Sequence, residues 1–229
     1  TGVRLAERFA GKRLLDYGCG DGTFLTMLMA GRAAPADAVG AELTPELVRD
    51  CQERLDSGKL RFVLTSELQK EQHREAYDGV VCMEVLEHVI DDSPLLELFD
   101  RLLAPGGYLL LSVPVETGLP VLVKQSARRL ASWRKIADYS GMQPYTMREL
   151  WATVFAGSEQ HIVRPVHSDE NGFESHDHKG FNWMLLREKL RERFEVEQVL
   201  GSPLSWLPPH LGSQAWFIAR KKQGPGARS

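Results

Sequence analysis

The stretch that decides the fold is LLDYGCGDGTF, residues 14–24, where an apolar run leads into closely spaced glycines. Asp16, Gly18, Gly20 and Gly22 follow one another at steps of two. The apolar run predicts a buried strand, and the residues after the glycines predict an amphipathic helix. Glycine adopts positive φ easily and lets a ligand approach the main chain. The stretch therefore predicts a strand, a ligand-binding turn and a helix in succession.

Beyond this turn, short apolar runs alternate with amphipathic segments as far as residue 114. Apolar runs of this length predict strands, and the segments between them have the spacing of surface helices. Strands that are apolar throughout and alternate with helices indicate a parallel sheet covered on both faces. The predicted strands are 12–18, 38–43, 60–65, 77–85 and 108–114, and the predicted helices are 21–31, 45–55 and 92–103.

The alternation is interrupted by an insertion over residues 115–180. A basic helical stretch, 124–135, has two interpretations: a helix docked by its apolar stripe with solvated arginines, or a surface that meets an anionic acceptor or a membrane. A polar loop as long as 158–180 is usually functional or disordered. The other predicted elements are helices from 119, over 146–156 (with a Thr146–Glu149 capping box) and over 181–194, and strands over 195–203 and 213–222.

Composition places the chain among ordinary soluble proteins. It has 229 residues, 43% hydrophobic and 26% charged, and a net charge of −3. Such a charge argues against a nucleic-acid partner, and the apolar runs are too short for a transmembrane segment. The cysteines Cys19, Cys51 and Cys82 are too far apart for a zinc-thiolate motif and suit a reducing compartment. We expect a cytoplasmic protein with one domain over 1–222 and a disordered tail over 223–229.

Two residues near the glycine turn bear on the ligand. A dinucleotide-binding loop would have a third glycine at position 23, which is Thr23 here, and this disfavours a nicotinamide-dependent oxidoreductase. Glu42 ends the second predicted strand, 20 residues after Gly22. An acidic side chain in that place binds ribose hydroxyls. The pattern favours a nucleoside-containing ligand other than a dinucleotide.

The chain resembles the class I S-adenosylmethionine-dependent methyltransferases. The resemblance rests on the D-x-G-x-G-x-G turn, Glu42, YDGVVCMEVLEHV (77–89) and LLAPGGYLLLSVP (102–114). It covers about residues 12–114 together with the two last strands. It implies a Rossmann-like α/β fold with helices on both faces of a seven-stranded, mostly parallel sheet, in the order 3-2-1-4-5-7-6 with strand 7 antiparallel.

The resemblance also implies where the cofactor and the acceptor bind. In this family the segment after strand 5 usually covers the acceptor, so 115–180 is expected to be a covering insertion. S-adenosylmethionine is the implied cofactor. The implied cofactor-binding residues are Asp16, Gly18, Cys19, Gly20, Gly22, Glu42, Leu43, Ser66, Met83 and Glu84.

The stretch CMEVLEHV, residues 82–89, carries the candidate chemistry. Glu84, Glu87 and His88 are spaced to share one helical face, after the fourth strand, where parallel sheets bind ligands. Carboxylates and imidazole can hold a divalent metal such as Mg²⁺ or Mn²⁺, with His178 as a further ligand. Alternatively, His88 and Glu87 act without a metal, or the triplet is structural. E-x-x-E-H with a later D-H-K segment is similar to ubiquinone-biosynthesis O-methyltransferases and to small-RNA 3′-terminal 2′-O-methyltransferases.

Several functions remain open on the sequence. The leading expectation is methylation of a hydroxyl on a small-molecule, glycan or lipid-like acceptor, with His88 and Glu87 as catalytic residues. The segment after the fourth strand lacks the Asn/Asp-Pro-Pro-Tyr/Phe pattern typical of enzymes that methylate nucleobase or amide nitrogens. The alternatives are a metal-dependent 2′-O-methyltransferase acting on RNA ends and a cofactor-binding scaffold domain without catalysis.

Overall fold

The structure, a computed structural model, describes residues 1–133, 145–160, 162–168, 172, 174–206 and 208–223, with the backbone alone for 127–133. Its strands are β1 (Arg13–Tyr17), β2 (Asp37–Glu42), β3 (Leu60–Leu64), β4 (Tyr77–Met83), β5 (Leu103–Pro114), β6 (Val166–Ser168), β7 (Glu174–His176), β8 (Phe194–Ser202) and β9 (Gln214–Lys221). Its helices are α1 (Gly2–Ala6), α2 (Thr23–Met29), α3 (Pro45–Leu55), α4 (Ser93–Leu102), α5 (Leu119–Trp133), α6 (Met147–Val154) and α7 (Trp183–Arg193).

Seven of the strands form one sheet in the order β3-β2-β1-β4-β5-β9-β8. The first five run parallel, and β9 is antiparallel to both of its neighbours. The predicted order is confirmed, because β8 and β9 are the sixth and seventh strands of that prediction. The remaining two strands, β6 and β7, form a separate antiparallel hairpin inside the insertion.

The sheet is buried on both faces because its central strands are apolar at consecutive positions. Leu15 and Val80 belong to the cluster under α4 and α7, whereas Leu14 and Val81 belong to the cluster under α1, α2 and α3. Adjacent residues of a strand point to opposite faces, so each strand supplies both layers. This double burial fixes the carboxyl ends of β1, β2 and β4 side by side, where parallel sheets form their ligand crevice.

Three local predictions differ from the structure. Pro105–Gly107, which precede the predicted strand 108–114, lie within β5, where Gly106 has positive φ and the pairing with β4 passes from Leu103 to Tyr108. The loop predicted over 158–180 contains the β6–β7 hairpin. Residues 84–89 form a tight turn with bonds such as His88 N to Val85 O, 2.9 Å, and are not helical.

The insertion helices start as the sequence predicts. Thr146 and Glu149 form the expected reciprocal capping box at α6. The basic stretch 124–135 falls partly in α5 and partly outside the described residues. His161 and most of the tail predicted over 223–229 lie outside the described residues. In the part of the chain that the structure describes, no helix combines the length and the apolar character needed to cross a membrane.

Candidate functional site

The glycine turn connects β1 to α2 and is held to β2 by Glu42. Gly18 has φ +76°, and a Cβ there would lie 2.5 Å from Cγ2 of Val85. Only glycine fits this position, because any side chain would meet both backbone strain and that collision. Gly20 N donates to Glu42 Oε2 at 2.9 Å, and Leu43 N donates to Oε1 at 2.7 Å. Each carboxylate oxygen retains acceptor capacity toward a ligand.

A cavity of about 590 Å³ opens at this turn. Of the predicted cofactor residues, it is lined by Gly18, Glu42, Leu43, Met83 and Glu84. It is also lined by His88, predicted as a catalytic residue, and by residues that the sequence reasoning missed: Tyr17, Thr65, Gln69, Val85, Val89, Asp91, Pro94, Leu95 and Leu98. Most of them could have been predicted from their positions in the fold, because they lie at the carboxyl ends of β1, β3 and β4 or at the start of α4.

The other predicted cofactor residues lie outside the lining. Ser66 is exposed in the 3-10 turn after β3, and its neighbours Thr65 and Gln69 face the cavity instead. Cys19, Gly20 and Gly22 shape the turn, where Gly20 and Gly22 both have positive φ.

Asp16 lies at the end of β1 beneath the cavity, one residue before Tyr17, which lines it. The Asp16 side chain is 1% exposed, and neither carboxylate oxygen has a hydrogen-bond partner among the described residues. Burial, followed by the negative charge of Glu42, raises its pKa to about 7. A buried carboxylate without a donor is costly, so this position fits a ligand that supplies a positive charge or N–H groups.

Glu84 begins the turn after β4 in a left-handed conformation, with φ +53°. Its backbone N donates to Ser112 O at 3.0 Å, and Ser112 Oγ donates to its Oε1 at 2.8 Å. Burial is the largest cause that raises its pKa. The prediction that Glu84 shares a helical face with Glu87 and His88 is wrong, because the positive φ turns its side chain toward β5.

Glu87, His88 and His178 come together as a cluster. One donor atom from each residue lies within 4.8 Å of those of the other two. His178 Nδ1 is 3.9 Å from Glu87 Oε1, and the rings of His88 and His178 meet edge to face with centroids 4.7 Å apart. Three of the four predicted metal ligands are therefore brought together, whereas Glu84 is not among them.

Within the cluster, Glu87 is fully buried and His88 is oriented by a hydrogen bond. The carboxylate of Glu87 is 0% exposed, and its oxygens have no hydrogen-bond partner among the described residues. Burial, followed by the charge of Glu84, raises the pKa of Glu87 to about 8. His88 Nδ1 donates to the carbonyl of His176 at 2.9 Å, which leaves Nε2 with its lone pair.

The β6–β7 hairpin holds this cluster from the side of the insertion. His176 N donates to His88 O at 3.0 Å, so the two residues exchange hydrogen bonds in both directions. Arg164 donates to the carbonyls of Glu87 and Asp177, and its guanidinium stacks 5.1 Å above the ring of Phe181. Sequence reasoning missed Arg164, since an isolated arginine in a polar stretch belongs to no recognisable pattern.

A second cavity of about 520 Å³ lies beyond Glu84. It is polar and is lined by Glu84, Pro114, Glu116, Lys124, His178, Ser202, Pro203, Ser213 and Gln214. Glu84 lines both cavities, while His88 faces the first and His178 faces the second. The cluster of Glu87, His88 and His178 therefore lies between the two cavities.

Solved structures with a similar fold include S-adenosylmethionine-dependent methyltransferases. A S-adenosylmethionine-dependent methyltransferase from Methanosarcina mazei is 20% identical, with a TM-score of 0.59 over 96% of this chain and 98% of that one. One from Mesorhizobium loti is 13% identical, with a TM-score of 0.57 over 96% of both chains. At such identities the likeness concerns the fold alone. The fold class is that of the Rossmann-like methyltransferases.

The family follows from the sequence itself. Residues 2–156, more than half of the chain, match the model of a methyltransferase domain family. The chain belongs to this methyltransferase family, which sets aside the oxidoreductase alternative.

Curated relatives include ubiquinone biosynthesis O-methyltransferases. That of Aliivibrio fischeri is 38% identical over 110 residues, which are 47% of this chain and 46% of the relative. That of Xanthomonas axonopodis pv. citri is 41% identical over 107 residues, 45% of this chain and 43% of the relative. The match thus spans less than half the length of these relatives.

Proposed function

We propose that this methyltransferase modifies a hydroxyl of a small-molecule acceptor bound in the second cavity. The observation that carries the proposal is the position of the cluster of Glu87, His88 and His178 between two cavities. In a methyl transfer the donor sulfur and the acceptor oxygen lie on opposite sides of the methyl group and in line with it. The first cavity takes the cofactor in this proposal, and 115–180 covers the acceptor within a single domain.

The residues around the first cavity fit S-adenosylmethionine. Glu42 has acceptor capacity left for two ribose hydroxyls, since each of its oxygens receives one backbone hydrogen bond. Asp16 has a buried carboxylate without a donor, which suits the ammonium group of the cofactor. Leu43 and Met83 offer apolar contacts at the carboxyl ends of β2 and β4. Direct contact of Cys19, Gly20, Gly22 and Ser66 with the cofactor stays a prediction.

His88 is the proposed base. S-adenosylmethionine supplies a methyl group on a sulfonium, so the protein has to align the acceptor, exclude water and remove a proton. The hydrogen bond from Nδ1 to the carbonyl of His176 orients the His88 ring and leaves Nε2 as the acceptor of that proton. Glu87 lies against His178 and stabilises positive charge that develops in the cluster.

The same cluster also fits a divalent cation, Mg²⁺ or Mn²⁺, which we propose as the alternative to His88 acting as a base, because a cation bound at Nε2 would take the lone pair that the proton needs. Glu87 brings a buried carboxylate without a donor, and His88 has the ring N–H to carbonyl bond that orients ligating histidines. His178 completes three protein donors, and Glu84 is left out of the set. A bound cation would lower the pKa of an acceptor hydroxyl.

The acceptor class follows from the polar lining of the second cavity. Serine, glutamine and carboxylate side chains there suit a hydroxylated ring or sugar, including the head group of a lipid-like molecule. The curated relatives are ubiquinone biosynthesis O-methyltransferases by name, which is consistent with a hydroxyl acceptor. No described contact favours RNA ends, and a cytoplasmic location and a membrane contact through 124–135 stay predictions.

Formation of S-adenosylhomocysteine from S-adenosylmethionine and a simple catechol tests the proposal. We expect turnover by the wild type and a loss of about 100-fold or more in His88→Ala, because a positioned base contributes this much. His210→Ala, an exposed histidine outside both cavities, is the control. Because His88 also lines the first cavity, calorimetry of cofactor binding to His88→Ala separates the loss of a base from the loss of bound cofactor. Turnover that survives EDTA would remove the cation from the proposal, and full activity of His88→Ala would overturn His88 as base.

A further inference from the structure

The second cavity contains one permanently positive side chain among the described residues of its lining, Lys124 of α5. Its Nζ donates to the carbonyl of Val115 at 2.9 Å, to Glu116 Oε1 at 2.8 Å and to the carbonyl of Ser213 at 3.3 Å. An ammonium has three N–H donors, so these three acceptors use all of them. Lys124 has no donor left for an incoming anion.

The charge of Lys124 is offset inside the cavity wall. The side chain of Glu116 is buried, with a relative exposure of 2%, and forms the ion pair with Lys124 directly after β5. Glu84 contributes a further carboxylate to the same lining. An anionic ligand would therefore meet two carboxylates and a lysine that is already paired.

We propose that the Glu116–Lys124 pair sets the charge preference of the acceptor cavity, which admits neutral hydroxylated molecules and excludes those with a carboxylate or phosphate. Glu116 is the specificity-determining residue in this proposal, because it offsets the one permanent positive charge found among the described residues of the lining. The inference rests on the proposed function in that it takes the second cavity as the acceptor site.

A pair of probes of equal shape and different charge tests this charge preference. 3,4-Dihydroxybenzamide is neutral at pH 7, and 3,4-dihydroxybenzoate has a carboxylate in place of the amide. Their dissociation constants are measured by calorimetry with S-adenosylhomocysteine present, so turnover is not needed. We expect the wild type to bind the benzamide more tightly by about tenfold, as like charges at short range predict.

Glu116→Gln keeps the shape and an oxygen for Lys124 but leaves the lysine charge uncancelled. It should strengthen the binding of the benzoate relative to that of the neutral probe by about tenfold. Glu116→Gln/Lys124→Met should lose this gain, since the added charge is then absent. Glu97→Gln, which removes the carboxylate of an exposed ion pair with Arg193, should keep the wild-type ratio.

Each outcome decides between the two proposals. Equal or tighter binding of the benzoate by the wild type overturns the charge preference even if Glu116→Gln does not fold. Binding of both probes with an unshifted ratio in Glu116→Gln overturns it as well and leaves the acceptor site intact. If S-adenosylhomocysteine binds and neither probe does, the acceptor site is wrong and this inference fails with it.

Discussion

The carboxylate of Glu42 connects the glycine turn to the end of β2 through hydrogen bonds from Gly20 and Leu43. Glu42→Gln retains one accepting oxygen and turns an NH₂ group toward a backbone N–H. We expect the affinity for S-adenosylhomocysteine to fall by about 10–100-fold, since hydrogen bonds to charged groups are worth roughly 1.5–3 kcal/mol. Calorimetry measures this loss, and Glu46→Gln on the exposed first turn of α3 is the control. An unchanged affinity would contradict a ribose-binding role.

Asp16 makes the ligand-free protein sensitive to pH. Its pKa is about 7 in the folded state against an ordinary value of 3.8, so the folded state favours the protonated form. The stability that this contributes is present at acid pH and is lost as the pH rises through about 7, by up to about 4 kcal/mol.

The variant Asp16→Asn isolates this contribution. Urea unfolding from pH 4 to pH 8 should show the wild type losing stability relative to Asp16→Asn as the pH rises. Glu87 contributes a slope of the same sign in both proteins, because its pKa is also raised, and this slope cancels in the difference. A difference that stays constant across this range would show that Asp16 ionises normally.

Residue identities were easier to predict than side-chain directions. Glu87, His88 and His178 were predicted as ligands from residue type and position, and they do lie together. Glu84 was grouped with them on helical spacing, but a positive φ, rare outside glycine, directs it to Ser112 instead. No pattern in a single sequence predicts a positive φ at a glutamate.

Among the elements, the β6–β7 hairpin depends on few contacts and yet holds the cluster. Arg164→Ala removes the donor to the carbonyls of Glu87 and Asp177, and we expect the hairpin to open more often. The amide of His176, bonded to His88 O, should then exchange at least about tenfold faster, since losing a hydrogen bond to a charged group is worth roughly 1.5–3 kcal/mol.

Hydrogen exchange read by mass spectrometry or NMR checks the His176 amide directly. Arg61→Ala, which breaks an exposed ion pair with Asp37 on the sheet, should leave it unchanged. Arg164→Lys keeps the positive charge but has only a single donor group. We therefore expect protection of the His176 amide between that of the wild type and that of Arg164→Ala. Full protection in Arg164→Ala would show that the His88–His176 bonds suffice.

Elements with strong local signals were predicted well, and those held by tertiary contacts were not. Pro45 after Thr44 marks the start of α3, and the Thr146–Glu149 pair marks that of α6. The hairpin strands have three residues each, too few for an alternation to be recognised. Pro105–Gly107 have the composition of a turn, and although β5 spans them they interrupt its pairing, since the ladder with β4 passes from Leu103 to Tyr108.

At the scale of the molecule, the sheet order was predictable and the site only in part. The order follows from alternating strands and helices together with the family resemblance, and β9 lies between β5 and β8 as that resemblance implies. The cluster needs His178 to meet Glu87 across the whole insertion. Such a contact depends on how 115–180 folds back over the sheet, which no local pattern specifies.

The place of β9 in the sheet has a consequence for the order of synthesis. On the ribosome β5 emerges about a hundred residues before its partner β9, with which it shares the register Tyr108 to Arg220. Until then one edge of β5 has no strand beside it, and exposed apolar edges invite aggregation. The insertion and α7 are made in this interval, so the sheet is completed only after both of them have left the ribosome.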